Sequence, residues 1–235
     1  MKFSVCIAVY NGSSYLREQL DSIFNQTLSC YEVVIVDDVS NDDSRDILRS
    51  YQSKYRNIKI FENETNLGVI PSFEKAISLA SGDIVVLCDQ DDVWELTKLE
   101  KLSKTFIEFN PLLILHNYSV IDSNGDLTGD VSKIDQNSIS ILRTFMTNSY
   151  IGCCMAFKKG LISSILPFPK NIPMHDSWIG LVASVAGEVK VIDDRLIFYR
   201  RHSNNVTGNT KFSLVEKLKH RFYLAFYLIF LGKVK

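Results

Sequence analysis

Short apolar runs alternate with amphipathic segments along the first 90 residues of the chain. Four runs rich in β-branched residues are typical of buried strands: Phe3–Val9, Glu32–Val36, Ile58–Phe61 and Ile84–Cys88. Between them, apolar residues recur at helical spacing, as at Leu16, Leu20 and Ile23. Strand and helix therefore alternate, which predicts an α/β fold whose mostly parallel sheet is flanked by crossover helices, as in Rossmann-like domains.

Carboxylates directly follow the fourth predicted strand. The apolar run Ile84–Cys88 leads into Asp89, Asp91 and Asp92. Since open α/β sheets bind ligands beyond the carboxyl ends of their strands, this cluster predicts a ligand site. Neighbouring carboxylates repel each other, and a divalent metal bound to a phosphate-bearing substrate is the simplest partner for them. The alternative is a solvated acidic turn.

The second half of the chain has a more mixed pattern. Apolar residues from Leu96 to Phe109 predict a helix that stops at Asn110-Pro111. Asn124-Gly125 predicts a hairpin turn. Further strands are predicted at residues 112–118, 150–157, 189–192 and 196–199, and a helix from Met174 to Ala186.

Composition narrows the class of protein. The chain has 235 residues, of which 46% are hydrophobic and 23% charged, as expected for one α/β domain with at most a small appendage. A formal net charge of −1 gives no overall attraction to nucleic acid. Five cysteines without a CxxC spacing predict buried thiols in a reducing compartment. With a strand beginning just after Met1, we expect a cytoplasmic protein without a signal peptide.

The segments at the predicted strand ends resemble a known family. They are Tyr10-Asn11-Gly12, Asp37-Asp38, Asn66-Leu67-Gly68, Ser81-Gly82-Asp83 and Asp89-Gln90-Asp91-Asp92-x-Trp94. In this order they resemble the family 2 glycosyltransferases, closely over residues 1 to 100 and more loosely to 208. The resemblance implies the GT-A fold and inverting transfer of a sugar from a nucleoside diphosphate donor. The later motifs His-Asp-x-Trp and Tyr-Arg-x-His-x-x-Asn look most like the rhamnosyltransferase-like branch, which builds bacterial surface polysaccharide.

The resemblance implies a metal site after the fourth strand. Asp89 and Asp91 match the D-x-D motif of the family, and residues two apart on an extended segment face the same side. We expect Asp91 to bind Mg²⁺ or Mn²⁺ and, through the metal, the diphosphate, with Asp89 nearer the ribose and also within reach of the metal. His202 matches a third metal ligand, although a lone histidine is often structural.

The resemblance also assigns residues to the nucleotide. Tyr10 is expected to stack on the base, with Asn11 beside it in the same motif. Asp38 is expected to accept a hydrogen bond from the base, the alternative being a cap of the following helix. Asn66 is expected to contact the nucleotide or diphosphate, the alternative being a loop residue in the left-handed conformation.

Asp176 matches the catalytic base of the family. An inverting transfer needs a carboxylate that takes the proton from the acceptor hydroxyl. The alternative is a helix cap, since Asp176 begins a predicted helix. Many relatives have Glu-Asp at this point, whereas this chain has His175-Asp176. Arg200 or Arg201 is expected to bind the diphosphate, the alternative being a solvated pair of charges.

Basic residues flank an apolar run near the C-terminal end. The run Phe222–Leu231 has ten residues, whereas a bilayer-spanning helix needs about 20. A basic and apolar helix here predicts association with an anionic membrane surface. The alternative is packing against the domain or at a homodimer interface. We therefore divide the chain into a glycosyltransferase domain, 1–208, with a nucleotide-sugar half (1–100) and an acceptor half (101–208), and a membrane-associating helix, 209–235.

These observations predict a metal-dependent inverting glycosyltransferase on the inner face of the bacterial cell membrane. It would move a rhamnose, glucose or galactose class of sugar to a saccharide or lipid-linked oligosaccharide. One alternative is a sugar nucleotidyltransferase, but the segment after the first strand lacks the glycine-rich, basic loop which that chemistry requires. Another is a non-catalytic partner that binds a nucleotide sugar, which an assay of transfer distinguishes.

Overall fold

A mixed β-sheet with helices packed against it runs through the part of the chain that the computed structural model describes, residues 1–132, 134–139, 149–203, 205, 219 and 221–223. The strands are β1 Phe3–Val9, β2 Glu32–Asp37, β3 Ile58–Glu62, β4 Ile84–Cys88, β5 Val93–Trp94, β6 Leu113–Ile121, β7 Leu127–Val131, β8 Met155–Lys158 and β9 Val189–Arg200. The α-helices are α1 Leu16–Phe24, α2 Ser44–Lys54, α3 Val69–Leu79, α4 Lys98–Phe109, α5 Ile162–Ile165 and α6 His175–Ala186. Short 3₁₀ turns span Gln136–Ser138, Gly152–Cys154 and Lys159–Leu161.

The strand order is β3-β2-β1-β4-β8-β6-β9-β5, with β7 paired to β6. The first four strands of the chain are parallel to one another, as predicted. Beyond β4 the sheet becomes mixed, because β8 is antiparallel to both β4 and β6 whereas β9 is parallel to β6. The parallel half places the carboxyl ends of β1, β2 and β4 at one edge of the sheet.

The predicted strands 189–192 and 196–199 form the single strand β9. The polar residues between them are exposed, so they do not interrupt the backbone pairing with β6. The register shifts on both sides of Asn117 accommodate this stretch. The Asn-Gly turn joins β6 and β7 as an antiparallel hairpin, as predicted, and Asp122 closes it by accepting from the backbone N–H of Asn124 and Asp126.

The continuous apolar runs of the sequence correspond to buried strands. Every residue of β4 is buried, as its uninterrupted apolar sequence predicts. The amphipathic spacing of α1 buries Leu16, Leu20 and Ile23. All five cysteines are buried free thiols, as predicted.

The predicted C-terminal helix, 209–235, lies outside the described residues except for Lys219 and residues 221–223. Among the helices of the described residues, none has the length and apolar character that a bilayer crossing requires.

Candidate active site

A cavity of about 1040 Å³ opens at the sheet edge where β1, β2 and β4 end. Most of the residues predicted to form the site line it: Tyr10, Asp38, Asn66, Asp89, Asp91, Asp176 and His202. They come from loops after β1, β2, β3, β4 and β9 and from the first turn of α6. The structure therefore brings together side chains that are up to 192 residues apart (Tyr10 to His202) in the sequence.

Asp91 and His202 face each other in this cavity. His202 Nε2 lies 2.9 Å from Asp91 Oδ2, and Asn205 Nδ2 lies 3.3 Å from the same oxygen. The ring of Tyr15 stacks on the imidazole, with 4.8 Å between centroids. Neither Asn205 nor Tyr15 is among the residues that the sequence predicts for the site, although Asn205 ends the Tyr-Arg-x-His-x-x-Asn motif.

Asp89 lines the same cavity and is partly buried. Burial and then the neighbouring charge of Asp91 raise the pKa of Asp89 to about 7. A cation in the cavity would relieve both effects, because it stabilises ionised carboxylates. Carboxylate oxygens with an imidazole nitrogen suit Mg²⁺ or Mn²⁺, so the donor set of Asp89, Asp91 and His202 fits such a metal.

A second group of potential ligands lies deeper. One ligand atom each of Asp89, Asp92 and Cys153 lies within 4.8 Å of the others. Burial raises the pKa of Asp92, and a hydrogen bond with Cys154 raises that of Cys153. The fully buried Lys98 donates to the Cys153 carbonyl at 3.1 Å and places positive charge there. Asp89 thus belongs to both groups of potential ligands.

The prediction that Arg200 binds the diphosphate disagrees with the structure, because the Arg200 side chain does not line the cavity. It is 1% exposed, and its Nε donates to the Asp91 carbonyl at 2.9 Å. Nη2 pairs with Glu18 at 2.5 Å, and Nη1 donates to the Asp122 and Ser123 carbonyls. Its guanidinium thus connects the acidic loop to α1 and the β6–β7 hairpin. The neighbouring Arg201, the other candidate for the diphosphate, does line the cavity.

Asn11 also lies outside the cavity wall. Its side-chain oxygen accepts from the Asn41 backbone N–H at 2.8 Å, and its own N–H donates to Ser40 at 3.0 Å. It therefore joins the loop after β1 to the loop after β2. Gln90, between the two D-x-D aspartates, bonds to both the N–H and the carbonyl of Tyr10. The Tyr10 ring itself remains 45% exposed at the cavity.

Asp38 shapes the loop that carries Asn66. Its carboxylate accepts from the backbone N–H of Leu67 at 2.8 Å and of Gly68 at 2.7 Å, and from Asn63 Nδ2 at 2.8 Å. Asp38 is therefore not a helix cap. Asn66 Nδ2 donates to the Asp38 carbonyl at 3.1 Å, and Asn66 is not in the left-handed conformation. The helix-cap alternative for Asp38 and the left-handed alternative for Asn66 are therefore wrong, and Asp38 holds the Asn66 loop in place.

Backbone strain accompanies this arrangement. Val39 has a φ of +65°, which is unfavourable for a β-branched residue. Such strain persists only where the surrounding contacts impose it, and it is common at binding sites. Val39 directly follows Asp38, whose carboxylate accepts those three hydrogen bonds.

Asp176 lies in the first turn of α6 and is 8% exposed at the cavity wall. The helix begins at His175, so Asp176 is inside the helix and is not its cap. Its Oδ1 accepts from the Ser177 N–H at 2.5 Å. The positive end of the helix dipole favours the ionised carboxylate, which is the form a proton acceptor needs.

The fold is the GT-A class of nucleotide-sugar-dependent transferases. The solved structure of S. aureus TarS, residues 1–349 in complex with UDP-GlcNAc, superposes with a TM-score of 0.80 at 22% identity, covering 97% of this chain and 67% of that one. At that identity the likeness supports the fold alone. Residues 4–166 match the family described as glycosyl transferase family 2, and the chain belongs to this family.

Two curated relatives add detail. An uncharacterized glycosyltransferase of Nostoc sp. is 29% identical over 215 residues, which cover 87% of this chain and 66% of the relative. The poly(ribitol-phosphate) beta-glucosyltransferase of Bacillus spizizenii is 42% identical over 96 residues, 39% of this chain and 15% of the relative. The chain thus spans less than two thirds of the length of both relatives.

Proposed function

We propose that this protein is a metal-dependent inverting glycosyltransferase that uses a nucleoside diphosphate sugar. One observation carries the proposal. A single cavity is lined by Asp89, Asp91 and His202 and by Asp176, whose carboxylate lies in the first turn of α6. Paired acids next to an imidazole suit a cation that binds phosphates, and a separate carboxylate suits proton removal.

Each residue of the site has its own role in the proposed transfer. Tyr10 offers an exposed ring to the base, and Asp38 retains one carboxylate lone pair after receiving its three donors. Arg201 faces the diphosphate. The acceptor oxygen attacks the anomeric carbon, its proton passes to Asp176, and the bond from that carbon to the diphosphate breaks. A divalent cation bound by Asp89, Asp91 and His202 would offset the charge that develops on the departing diphosphate.

The proposal also covers the donor sugar, the acceptor and the location of the protein. We place the protein in the rhamnosyltransferase-like branch, with a rhamnose, glucose or galactose class of donor and a lipid-linked oligosaccharide acceptor. The poly(ribitol-phosphate) transferase among the relatives supports a role in surface polymer synthesis. In this proposal residues 1–100 bind the nucleotide sugar, 101–208 bind the acceptor, and 209–235 associate with the inner face of the membrane.

A thermal-shift screen of nucleotide sugars with and without Mn²⁺ tests the proposal. A ligand at 100 times its Kd stabilises the native state by about 2.7 kcal/mol, which should raise Tm by about 5 °C or more. The stabilising donor is then incubated with membrane extracts, and sugar transfer is measured. Failure of every nucleotide sugar to bind would reject the proposal. Metal-dependent binding without transfer to any acceptor would favour a non-catalytic partner instead.

A further inference from the structure

His175 is a polar side chain without a polar partner in the wall of the cavity. It is 4% exposed, and neither Nδ1 nor Nε2 has a hydrogen-bond partner within the described part of the chain. Leaving buried polar atoms unsatisfied destabilises the folded state. Buried polar atoms are nearly always paired in native proteins, so an unpaired histidine in a binding cavity indicates a partner that arrives with the ligand.

The surroundings of His175 define what kind of partner it can bind. The ring stacks on Phe73 of α3, with 4.2 Å between centroids. Burial lowers the pKa of His175 to about 3, so the imidazole is neutral, with one nitrogen donating and the other accepting. A neutral donor and acceptor suit a hydroxyl group better than an anionic phosphate, which the adjacent Asp176 carboxylate would also repel.

The position of the ring points to one part of the ligand. Phe73 belongs to the helix that follows the Asn66 loop, on the nucleotide side of the cavity, whereas Asp176 marks the reacting centre. His175 therefore lies between the nucleotide and the point of transfer. Gly152 also lines the cavity, and a methyl group at Gly152 would lie 3.1 Å from His175 Nε2. Gly152 therefore packs directly against that nitrogen.

We propose that His175 binds a hydroxyl group of the transferred sugar and helps to select which sugar is accepted. This inference rests on the proposed function, because it requires a nucleotide-sugar donor in the cavity. It adds a sugar-contacting residue that is separate from the metal ligands and from the proton acceptor.

The test compares wild type with His175→Phe, which keeps a ring against Phe73 but removes both nitrogens. Calorimetry in Mn²⁺ measures the affinity for UDP-glucose, UDP-galactose, UDP-GlcNAc and dTDP-rhamnose, and for UDP and dTDP. His175→Phe should bind the preferred nucleotide sugar about three- to tenfold more weakly while its affinity for the free diphosphate is unchanged. His116→Phe is the matched control, since His116 is fully buried outside the cavity wall and its Nε2 is also unpaired.

Two further measurements separate binding from a structural role. Deoxyfluoro analogues of the preferred sugar identify the hydroxyl group, because its replacement should weaken binding to wild type but not to His175→Phe. Gly152→Ala, which crowds Nε2, should reproduce the loss of sugar affinity. The Tm of the unliganded His175→Phe variant should equal or exceed that of wild type, because no internal hydrogen bond is lost.

The outcomes are distinguishable from those for the proposed function. If wild type binds a nucleotide sugar and His175→Phe keeps the same preference over the free diphosphate, the inference about His175 is overturned and the proposed function stands. A marked fall in Tm of unliganded His175→Phe, with that preference kept, would assign His175 to the core. If wild type binds none of the nucleotide sugars, both are rejected.

Discussion

His202 Nε2 lies 2.9 Å from Asp91 Oδ2, although the two residues are 111 positions apart in the chain. The contact joins the loop after β4 to the segment after β9 at the cavity. In the function proposed above, these two side chains bind the same cation.

Asp91→Asn should weaken Mn²⁺ binding in the presence of UDP by at least about tenfold, because an amide lacks the charge that the cation requires. Calorimetry or Mn²⁺ electron paramagnetic resonance measures the affinity. Asp130→Asn, an exposed acid on β7, is the control and should bind like wild type. Unchanged Mn²⁺ affinity in Asp91→Asn would remove this residue from the metal site.

Asp176→Asn should lower the rate of sugar transfer by about 10²- to 10⁴-fold, because the amide cannot accept the acceptor proton. Donor affinity, measured by calorimetry, should stay within about twofold of wild type, since the reacting proton is absent from the donor complex. Asp193→Asn, at an exposed position of β9, controls for loss of an acid elsewhere. Transfer at the wild-type rate would refute the role of Asp176.

Arg200→Lys and Arg201→Lys should affect different properties, the stability of the protein in the first variant and UDP binding in the second. The buried Arg200 binds Glu18 and three carbonyls, and a lysine cannot replace that planar set of donors. We expect a loss of about 2 to 3 kcal/mol in the free energy of unfolding, measured in urea. Arg201→Lys should change stability by less than about 0.5 kcal/mol but weaken UDP binding. Equal stability of the two variants would contradict the structural role of Arg200.

Gly180→Ala should destabilise the protein although alanine favours helices by about 1 kcal/mol. A methyl group at this position of α6 would overlap the ring of Tyr150, which is 1% exposed and lines the cavity. Overpacking of this kind costs about 1 to 3 kcal/mol, measured as a lower urea midpoint. Gly160→Ala, which has open space around it, should match wild type. Equal midpoints for both variants would show that Tyr150 moves freely.

Glu32→Gln should lose stability in a pH-dependent way. Burial alone would raise the pKa of Glu32, but hydrogen bonds from Lys59, Ser4 and Ser81 outweigh it and lower the pKa from 4.5 to about 2. A lowered carboxyl pKa contributes stability that is present above about pH 4.5 and is lost as the pH falls towards 2.

We therefore expect Glu32→Gln to be about 2 to 3 kcal/mol less stable than wild type at pH 7, with the difference shrinking below about pH 4. Urea unfolding at several pH values measures it. Glu100→Gln, from an exposed pair with Lys104, should change little. A constant difference between pH 3 and 7 would show that the Glu32 charge is not the cause.

The strands β1 to β4 and the acids that follow them could be predicted from the sequence. Uninterrupted β-branched runs indicate burial on both faces, and their alternation with helices implies parallel strands whose carboxyl ends share an edge. That reasoning alone brings Tyr10, Asp38 and Asp89 together. The positions of Asp176 and His202 followed from the family resemblance of their motifs.

The sequence by itself thus determined the parallel half of the sheet and the presence of an acidic site, because hydrophobic periodicity is local information. Only the tertiary structure decided which of two adjacent arginines, Arg200 or Arg201, lines the cavity. Arg200 ends β9 and Arg201 follows it directly, yet only Arg201 lines the cavity, whereas Arg200 pairs with Glu18, 182 positions away in the sequence. The unpaired imidazole of His175 is likewise defined by what packs around it, since a partner or its absence is a property of the assembled core.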